Sequence, residues 1–388
     1  MSDARLSPAV RSWIERAWSS PPEPAPRGAV VLTGLSALYR IGFALAPALA
    51  LARRRPCARA PIPVVSVGSI HVGGSGKTPL AREIARIASA RGLSPALVLR
   101  GYRGTYRGRA EHVDAGAEHA AERYGDEAAL HAASGARVYV ARRRIEGVRA
   151  AARGGAKLAI LDDGMQHRAL CRDLEIVTLP DDAPLGNGRA LPRGPLREPP
   201  AALGRADLLV LAYRSPARGP FCDPAVLPRL RPGIPILSWR AAIRLRPIAA
   251  GAVDGVEAGA DVPVAGDRVG VLCGIARPAT FEASLREAGF LPARRFAFAD
   301  HHRFTAQETA ECRRAASREG LRWLVTTEKD AVRIPACREA EGEGEGEAEP
   351  ERAGEARIVV AEMDLRWNEE EAPETIGDLL ERCLEGAR

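Results

Sequence analysis

Residues 62–80, IPVVSVGSIHVGGSGKTPL, constrain the fold of this chain more than any other stretch. An apolar, valine-rich run enters a glycine-rich turn, and the amphipathic segment TPLAREIARIASARG follows. The run reads as a buried strand and the segment as a helix closed by a glycine. In that setting backbone N–H groups can wrap phosphate oxygens, because glycine lets the main chain come close. His71 and Val72 lead into the turn, Gly73, Gly74, Ser75 and Gly76 supply the cradle, Lys77 would reach the β and γ phosphates, and Thr78 would hold Mg²⁺. The strict pattern has glycine six residues before the lysine, where this chain has His71.

Further strands (PALVLR, ARVYV, KLAILDD, LEIVTL, DLLVLAY) alternate with helical segments (GDEAALHAAS, RRRIEGVRAAAR). A second series begins near residue 268 with RVGVLCGI, PATFEASLREAG, ARRFAF, TAQETAECRRAASREG and LRWLVTT. The alternation predicts an α/β fold: a P-loop NTPase-like parallel sheet with helices on both faces, plus a smaller second α/β domain. The expected organisation is a polar tail over 1–27, a membrane-interface helix over 28–55 and a P-loop domain over 56–250. A linker over 251–267 leads to the smaller domain, 268–388, with a Glu/Gly-rich insert at 339–355 that can bury nothing and should be disordered.

Net charge is +7, although the insert itself is acidic. A basic surface suits an anionic partner such as a nucleic acid, an acidic lipid or a phosphorylated substrate. An arginine-rich solvated surface explains the charge equally well. The seven cysteines are scattered without a CxxC pair. A chain this long needs no covalent staples, so a reducing cytoplasm is expected. Only three lysines occur, and Lys77 and Lys329 both fall in motifs.

Residues 28–52 form an apolar run broken by one charge, Arg40, and followed by Arg53, Arg54 and Arg55. On a helix Thr33, Ser36 and Arg40 share one stripe. A central arginine costs about 2.5–3.5 kcal/mol to insert into a bilayer. A helix lying in the membrane interface is therefore preferred to a spanning one, with a helix buried on the domain as the alternative.

Other motifs carry chemistry. KLAILDDG ends a strand on Asp162 and Asp163, where a P-loop fold keeps a second Mg²⁺ handle. YGDEAALHA puts Asp126 and Glu127 at a helix start, as N-terminal capping acids or as a base. FADHHRF sets His301 and His302 in a polar turn, as a functional pair or as two surface histidines, and spacing alone does not choose between these readings. GNGRALPRGPLREP holds Arg189, Arg193 and Arg197 in a loop too irregular for core, suited to an anionic ligand.

The ordered motifs VGSIHVGGSGKTP, LRGYRG, GDEAALHA, LDDGMQH, GNGRALPRGPLREP, CGIARP, FADHHRFT and TTEKDAV together resemble the tetraacyldisaccharide 4'-kinase (lipid A 4'-kinase) family over roughly residues 28–335. That family's loop also lacks the first glycine. The resemblance implies two α/β domains with the active site in the cleft between them, ATP and Mg²⁺, and a lipid A disaccharide 1-phosphate acceptor. It implies a peripheral protein on the cytoplasmic face of the bacterial inner membrane; a monomer with no nucleic-acid partner is expected. Asp126 is similar to the family's catalytic base and His301 to its partner from the second domain. Thr78, Asp162 and Asp163 stand at the metal. Tyr102, Glu127, Arg144, Gln166, His167, Asn187, Arg197 and Glu198 stand on the acceptor side. Arg143 replaces the aspartate of a family Asp-Arg pair, and Ser69 replaces an asparagine.

Rival readings are a P-loop GTPase or metal chaperone, a nucleic-acid-binding ATPase and a kinase of a soluble sugar. The first lacks a guanine-reading NKxD or TKxD element, since Lys329 is followed directly by Asp330. The second lacks aromatic stacking stretches. The helix over 28–52 argues against the third.

Overall fold

The structure, a computed structural model, describes residues 18, 32–39, 41–42, 57–72, 75–114, 120–181, 183–213, 227, 232–247, 262–275, 278–334 and 355–386. Gly73, Gly74, Arg40, the arginines at 53–55, linker residues 251–261 and insert residues 339–354 lie outside them.

The chain forms two compact units. One comprises Met1–Ser94, Lys157–Arg240 and Trp367–Arg388; the other comprises Pro95–Ala156 and Ala241–Arg366. Both are built from stretches distant in sequence, whereas the sequence suggests a single boundary at 251–267.

In the first unit, β1 (Val64–Gly68) lies between β5 (Leu158–Asp162) and β6 (Leu174–Pro180), parallel to both. Next come β7 (Leu208–Tyr213) and the first residues of β8 (Ile236–Pro247), again parallel. The β1, β5 and β7 residues are almost all apolar and buried, as parallel strands covered on both faces require. Helix Lys77–Ala90 buries Leu80, Ile84 and Ile87, and the C-terminal helix Ala372–Gly386 buries Ile376 and Leu380. Val177, Leu179, Leu209 and Leu211 form a core with Leu185 and Leu196 from the irregular stretch that follows β6 and with Leu203 of the 3-10 helix Pro200–Arg205. That stretch therefore belongs to the fold as much as any helix does.

The expectation of a chain without covalent staples is corrected here. Cys57 and Cys171, 114 residues apart, form a disulfide. The Ala58 N–H donates to Ala169 O (2.8 Å) and the Cys171 N–H donates to Ala58 O (3.0 Å), which sets the two cysteines side by side. This pairing arises from tertiary contact, so cysteine spacing gave no sign of it.

The second unit holds β2 (Pro95–Leu99) parallel to β4 (Val138–Val140), with the short β3 (Glu111–His112) antiparallel to β4. It also holds β9 (Arg268–Cys273), parallel to both β10 (Leu291–Ala297) and β11 (Trp323–Thr327); β12 (Arg357–Trp367) runs parallel to β11. Side chains alternate across this sheet. Val269, Val271, Trp323, Val325 and Val359 pack with Leu285 of helix Pro278–Glu287. Leu272, Leu324 and Ile358 pack with Cys312 and Ala316 of helix Ala306–Arg318.

Candidate active site

In the first unit, β1 delivers its C-terminal end to the phosphate loop and helix Lys77–Ala90 starts at the lysine. Gly76 sits at φ 76°, and a Cβ there would lie 2.5 Å from the Trp239 ring, so both conformation and space demand glycine. Ser75 is buried, and its carbonyl accepts from Thr178 Oγ1 at 2.7 Å, which ties the loop to β6. Lys77 Nζ lies 3.5 Å from Ser75 Oγ and 3.7 Å from Asp163 Oδ1. Thr78 follows in the first helical turn.

His71 is buried, and its Nε2 lies 2.8 Å from Pro184 O. Its backbone bridges Leu196, and the next N–H, from Val72, donates to Pro195 O at 2.8 Å. The residue in place of the expected glycine thus fastens the phosphate loop to the 183–198 stretch.

Val67 of β1 and Asp162 of β5 are register partners. Asp162 is buried; Asp163, at φ 54°, turns the chain out of the strand and is half-buried. Arg197 Nη1 donates to both Asp163 oxygens, at 3.0 and 2.8 Å. Gln166 Nε2 donates to Ser69 O (2.9 Å) and to Glu198 Oε1 (3.0 Å). Glu198, only 1% exposed, accepts from Arg205 Nη2 at 2.7 Å. The DDGMQH turn and the PLRE stretch therefore form one hydrogen-bonded cluster beside Lys77. His167 lies in the same turn, its N–H donating to Gly164 O. Arg172, which sequence reasoning missed, donates through Nη2 to the carbonyls of Gly164, Met165 and His167 and pairs through Nη1 with buried Glu175. Asn187 shapes the following loop, donating to Arg193 O and accepting from the Arg189 N–H.

The N-terminal helix contacts that loop. Ser36 Oγ donates to Ala190 O at 2.8 Å and Tyr39 Oη to Arg197 O at 3.2 Å. Burial raises the Tyr39 phenol above its ordinary range, against the lowering effect of Arg197. Leu35, Leu38 and Ile41, three residues apart on the helix, are exposed, Leu38 at 65%. Thr33, Ser36, Asn187 and Arg189 line a cavity of about 360 Å³ between helix and loop. Thr33 is exposed and Ser36 buried, so the polar stripe read from the sequence is turned partly onto the protein.

In the second unit, Asp126 opens helix Asp126–Ala133 directly after Gly125, where a φ of 91° and the Tyr102 carbonyl that a Cβ would collide with exclude a side chain. His301, at φ 63°, is held by its N–H to Gly274 O (2.9 Å) and puts Nδ1 2.9 Å from Asp126 Oδ2. The pair meets as expected, but with a correction: the two residues were expected from different domains, and both lie in one unit. The structure also separates the two adjacent histidines. The His302 ring stacks on Phe298 at 4.6 Å and its Nε2 lies 3.1 Å from Glu308, itself part of the Thr305 capping box. His302 thus builds the turn, and His301 is left facing the acid.

Arg333 completes the cluster: Nε donates to Asp126 Oδ1 (3.0 Å) and Nη2 to Oδ2 (2.5 Å). Burial alone would raise the Asp126 carboxyl. Hydrogen bonds from His301 and Arg333 and the Arg333 charge outweigh it and hold that carboxyl well below the usual range. Sequence reasoning stopped at Val332, one residue short of Arg333; the signal available was its spacing of three from Asp330. Glu127 follows Asp126 in the first helical turn. Arg144 is buried, its Nη1 donating to Val98 O at 2.6 Å. Tyr102 is exposed, with the Arg103 guanidinium 5.7 Å from its ring.

A parallel sheet whose β1 opens through GGSGKT onto a helix, with an acid-ended strand paired beside it, defines a P-loop α/β protein of the nucleotide-using kind. The chain belongs to the tetraacyldisaccharide-1-P 4'-kinase family, whose sequence profile matches residues 28–380. It is 43% identical to the tetraacyldisaccharide 4'-kinase of Anaeromyxobacter dehalogenans (strain 2CP-C), over 85% of this chain and 87% of that one. It is 42% identical to the enzyme of that name from Methylobacterium nodulans, over 74% of this chain and 80% of that one. Among solved structures it is similar to the "apo" form of LpxK from Aquifex aeolicus in complex with ATP. There the TM-score is 0.68 and the identity 26%, over 92% of this chain and 99% of that one.

Proposed function

We propose that this protein is an ATP-dependent kinase that transfers the γ-phosphate to the 4'-hydroxyl of tetraacyldisaccharide 1-phosphate in lipid A biosynthesis. The observation that carries the reading is family membership along 28–380, with the phosphate loop at the end of β1. The loop residues 71–78 take the nucleotide phosphates, with Lys77 as the point charge. The oxygen donors Thr78, Asp162 and Asp163 suit a hard cation such as Mg²⁺, which is commonly held by one or two carboxylates plus substrate phosphates. When bound, that cation would neutralise charge on the transferring group. Asp163 now accepts from Arg197 and lies near Lys77, and these two cations keep its carboxylate oriented.

On the acceptor side, a sugar hydroxyl is a weak nucleophile and needs a positioned proton acceptor. Asp126, ionised and bonded to His301, supplies it: the hydroxyl proton passes to the pair as its oxygen attacks the γ-phosphorus, whose bond to the β,γ-bridging oxygen breaks so that ADP leaves. Arg197, exposed Tyr102, His167 and the Asn187 loop are proposed to contact acceptor or nucleotide. Glu127, beside Asp126 in the first helical turn, is proposed to stand on the acceptor side too. Glu198, Gln166 and Arg144 act from behind, being tied to Arg205, Ser69 and Val98 respectively.

The exposed Leu35, Leu38 and Ile41 support peripheral attachment to the cytoplasmic leaflet of the inner membrane. Among the described residues no helix is long and apolar enough to cross a membrane. A monomer with no nucleic-acid partner completes the proposal. The decisive experiment supplies purified protein with Mg-ATP and tetraacyldisaccharide 1-phosphate in mixed micelles and maps the phosphate gained. Phosphate at the 4' position is expected; no transfer, or transfer only to a soluble sugar, refutes the reading.

A further inference from the structure

Arg333 lies just past the short helix Glu328–Ala331, in none of the motifs that the sequence singles out. Its guanidinium grips Asp126 through two nitrogens, Nε on Oδ1 and Nη2 on Oδ2, the planar fork that lysine cannot reproduce. Nη2 also lies 3.0 Å from His301 Nδ1, and Nη1 donates to Asp330 Oδ1 at 3.2 Å. Asp330 is fully buried and fixed on its other oxygen by the Gly274 N–H (3.0 Å) and Thr327 Oγ1 (2.8 Å). The same Gly274 holds the His301 backbone through its carbonyl.

Exposure orders the cluster from inside to outside. The Asp330 side chain is 0% exposed, Arg333 6%, Asp126 19% and His301 36%. Only the outer two can meet an acceptor, and Arg333 reaches it through them. We propose that Arg333 is the positioning residue of the acceptor-activating pair: anchored by buried Asp330, it locks the Asp126 carboxylate and the His301 ring into one geometry. This rests on the reading of Asp126 and His301 as that pair.

The lock has a chemical reason. A carboxylate that must collect a proton from an alcohol has to present one oxygen to the substrate. Free rotation about its Cβ–Cγ bond would spread that oxygen over many orientations, and the fork removes the rotation. The charge of Arg333 is balanced by two carboxylates, Asp126 and Asp330, so it orients Asp126 without leaving a buried cation unpaired.

The test measures steady-state kinetics on the full chain with Mg-ATP and the lipid acceptor for wild type, Arg333→Ala, Arg333→Lys, Asp126→Asn and His301→Ala. The last two are controls on the underlying reading: if both keep wild-type kcat, the pair itself is wrong, whatever Arg333 does. If they lose activity, Arg333→Ala should lower kcat about 10²-fold or more, the scale of a general base put out of place. KM for ATP should stay within about threefold of wild type, and Arg333→Lys should fall between. Added methylguanidinium should restore part of the kcat of Arg333→Ala and none of that of Asp126→Asn. Wild-type kcat in Arg333→Ala, a loss confined to KM for ATP, or a folded Arg333→Ala that methylguanidinium does not rescue would each overturn the positioning role. Should Arg333→Ala fail to fold, Arg333→Lys decides: wild-type kcat there rules the fork unnecessary, and a drop of tenfold or more with unchanged KM for ATP supports it.

Discussion

At the scale of single residues, two positions show how conformation and charge are coupled to chemistry. Gly76 combines a left-handed backbone with a Trp239 ring where a Cβ would go. Gly76→Ala should cost roughly 1–3 kcal/mol of stability through strain and overpacking. Urea denaturation would read the loss, and a change below a few tenths would mean that Trp239 yields freely. Asp126 is the other. Its folded carboxyl titrates below the unfolded value of about 3.9, so its ionised form stabilises the fold. That contribution is complete above about pH 5 and disappears as pH falls through 3.9 toward the lower folded value. Between pH 7 and pH 3 the wild type should therefore lose more stability than Asp126→Asn. Equal losses in urea melts at the two pH values would show that the Arg333 and His301 contacts do not favour the ionised form.

At the scale of elements, the N-terminal helix meets the protein through polar groups and shows solvent a row of large apolar side chains. Ser36 and Tyr39 bond to carbonyls of the 186–198 loop, and Leu35, Leu38 and Ile41 stand outside. An exposed apolar row on one helix face is what an interfacial membrane helix offers, with binding that scales with the apolar area it buries. Replacing all three by serine should abolish co-sedimentation with vesicles containing anionic phospholipid, while the far-ultraviolet dichroism stays as in wild type. Undiminished vesicle binding would place the membrane contact elsewhere.

At the scale of the whole molecule, nucleotide binding should register as stability. A ligand that binds only the folded state adds about 2.7 kcal/mol at a hundred times its Kd. Saturating Mg-ATP should therefore raise the melting temperature of the wild type, and Lys77→Ala, folded without ligand, should show little of that rise. An equal rise in both would remove Lys77 from the phosphate site.

The sequence determined the repeating strand–helix order, the phosphate loop and the acids at the end of β5, because these are local. Each depends on spacing within a dozen residues, on glycine, or on side-chain alternation. The pairing of Asp126 with His301 was legible only through the resemblance of the motifs, since the two lie 175 residues apart. Tertiary structure alone decided the rest. It gave His302 a packing role, its ring stacked on Phe298. It turned His71 from a gap in the phosphate-loop pattern into a fastener, through a carbonyl 113 residues away. It joined Cys57 to Cys171, and it set Arg333 on Asp126 across 207 residues. A chain carries no local mark of which distant carbonyl, thiol or carboxylate it will meet. Those partners are fixed only when the strands register and the buried polar groups must find one another.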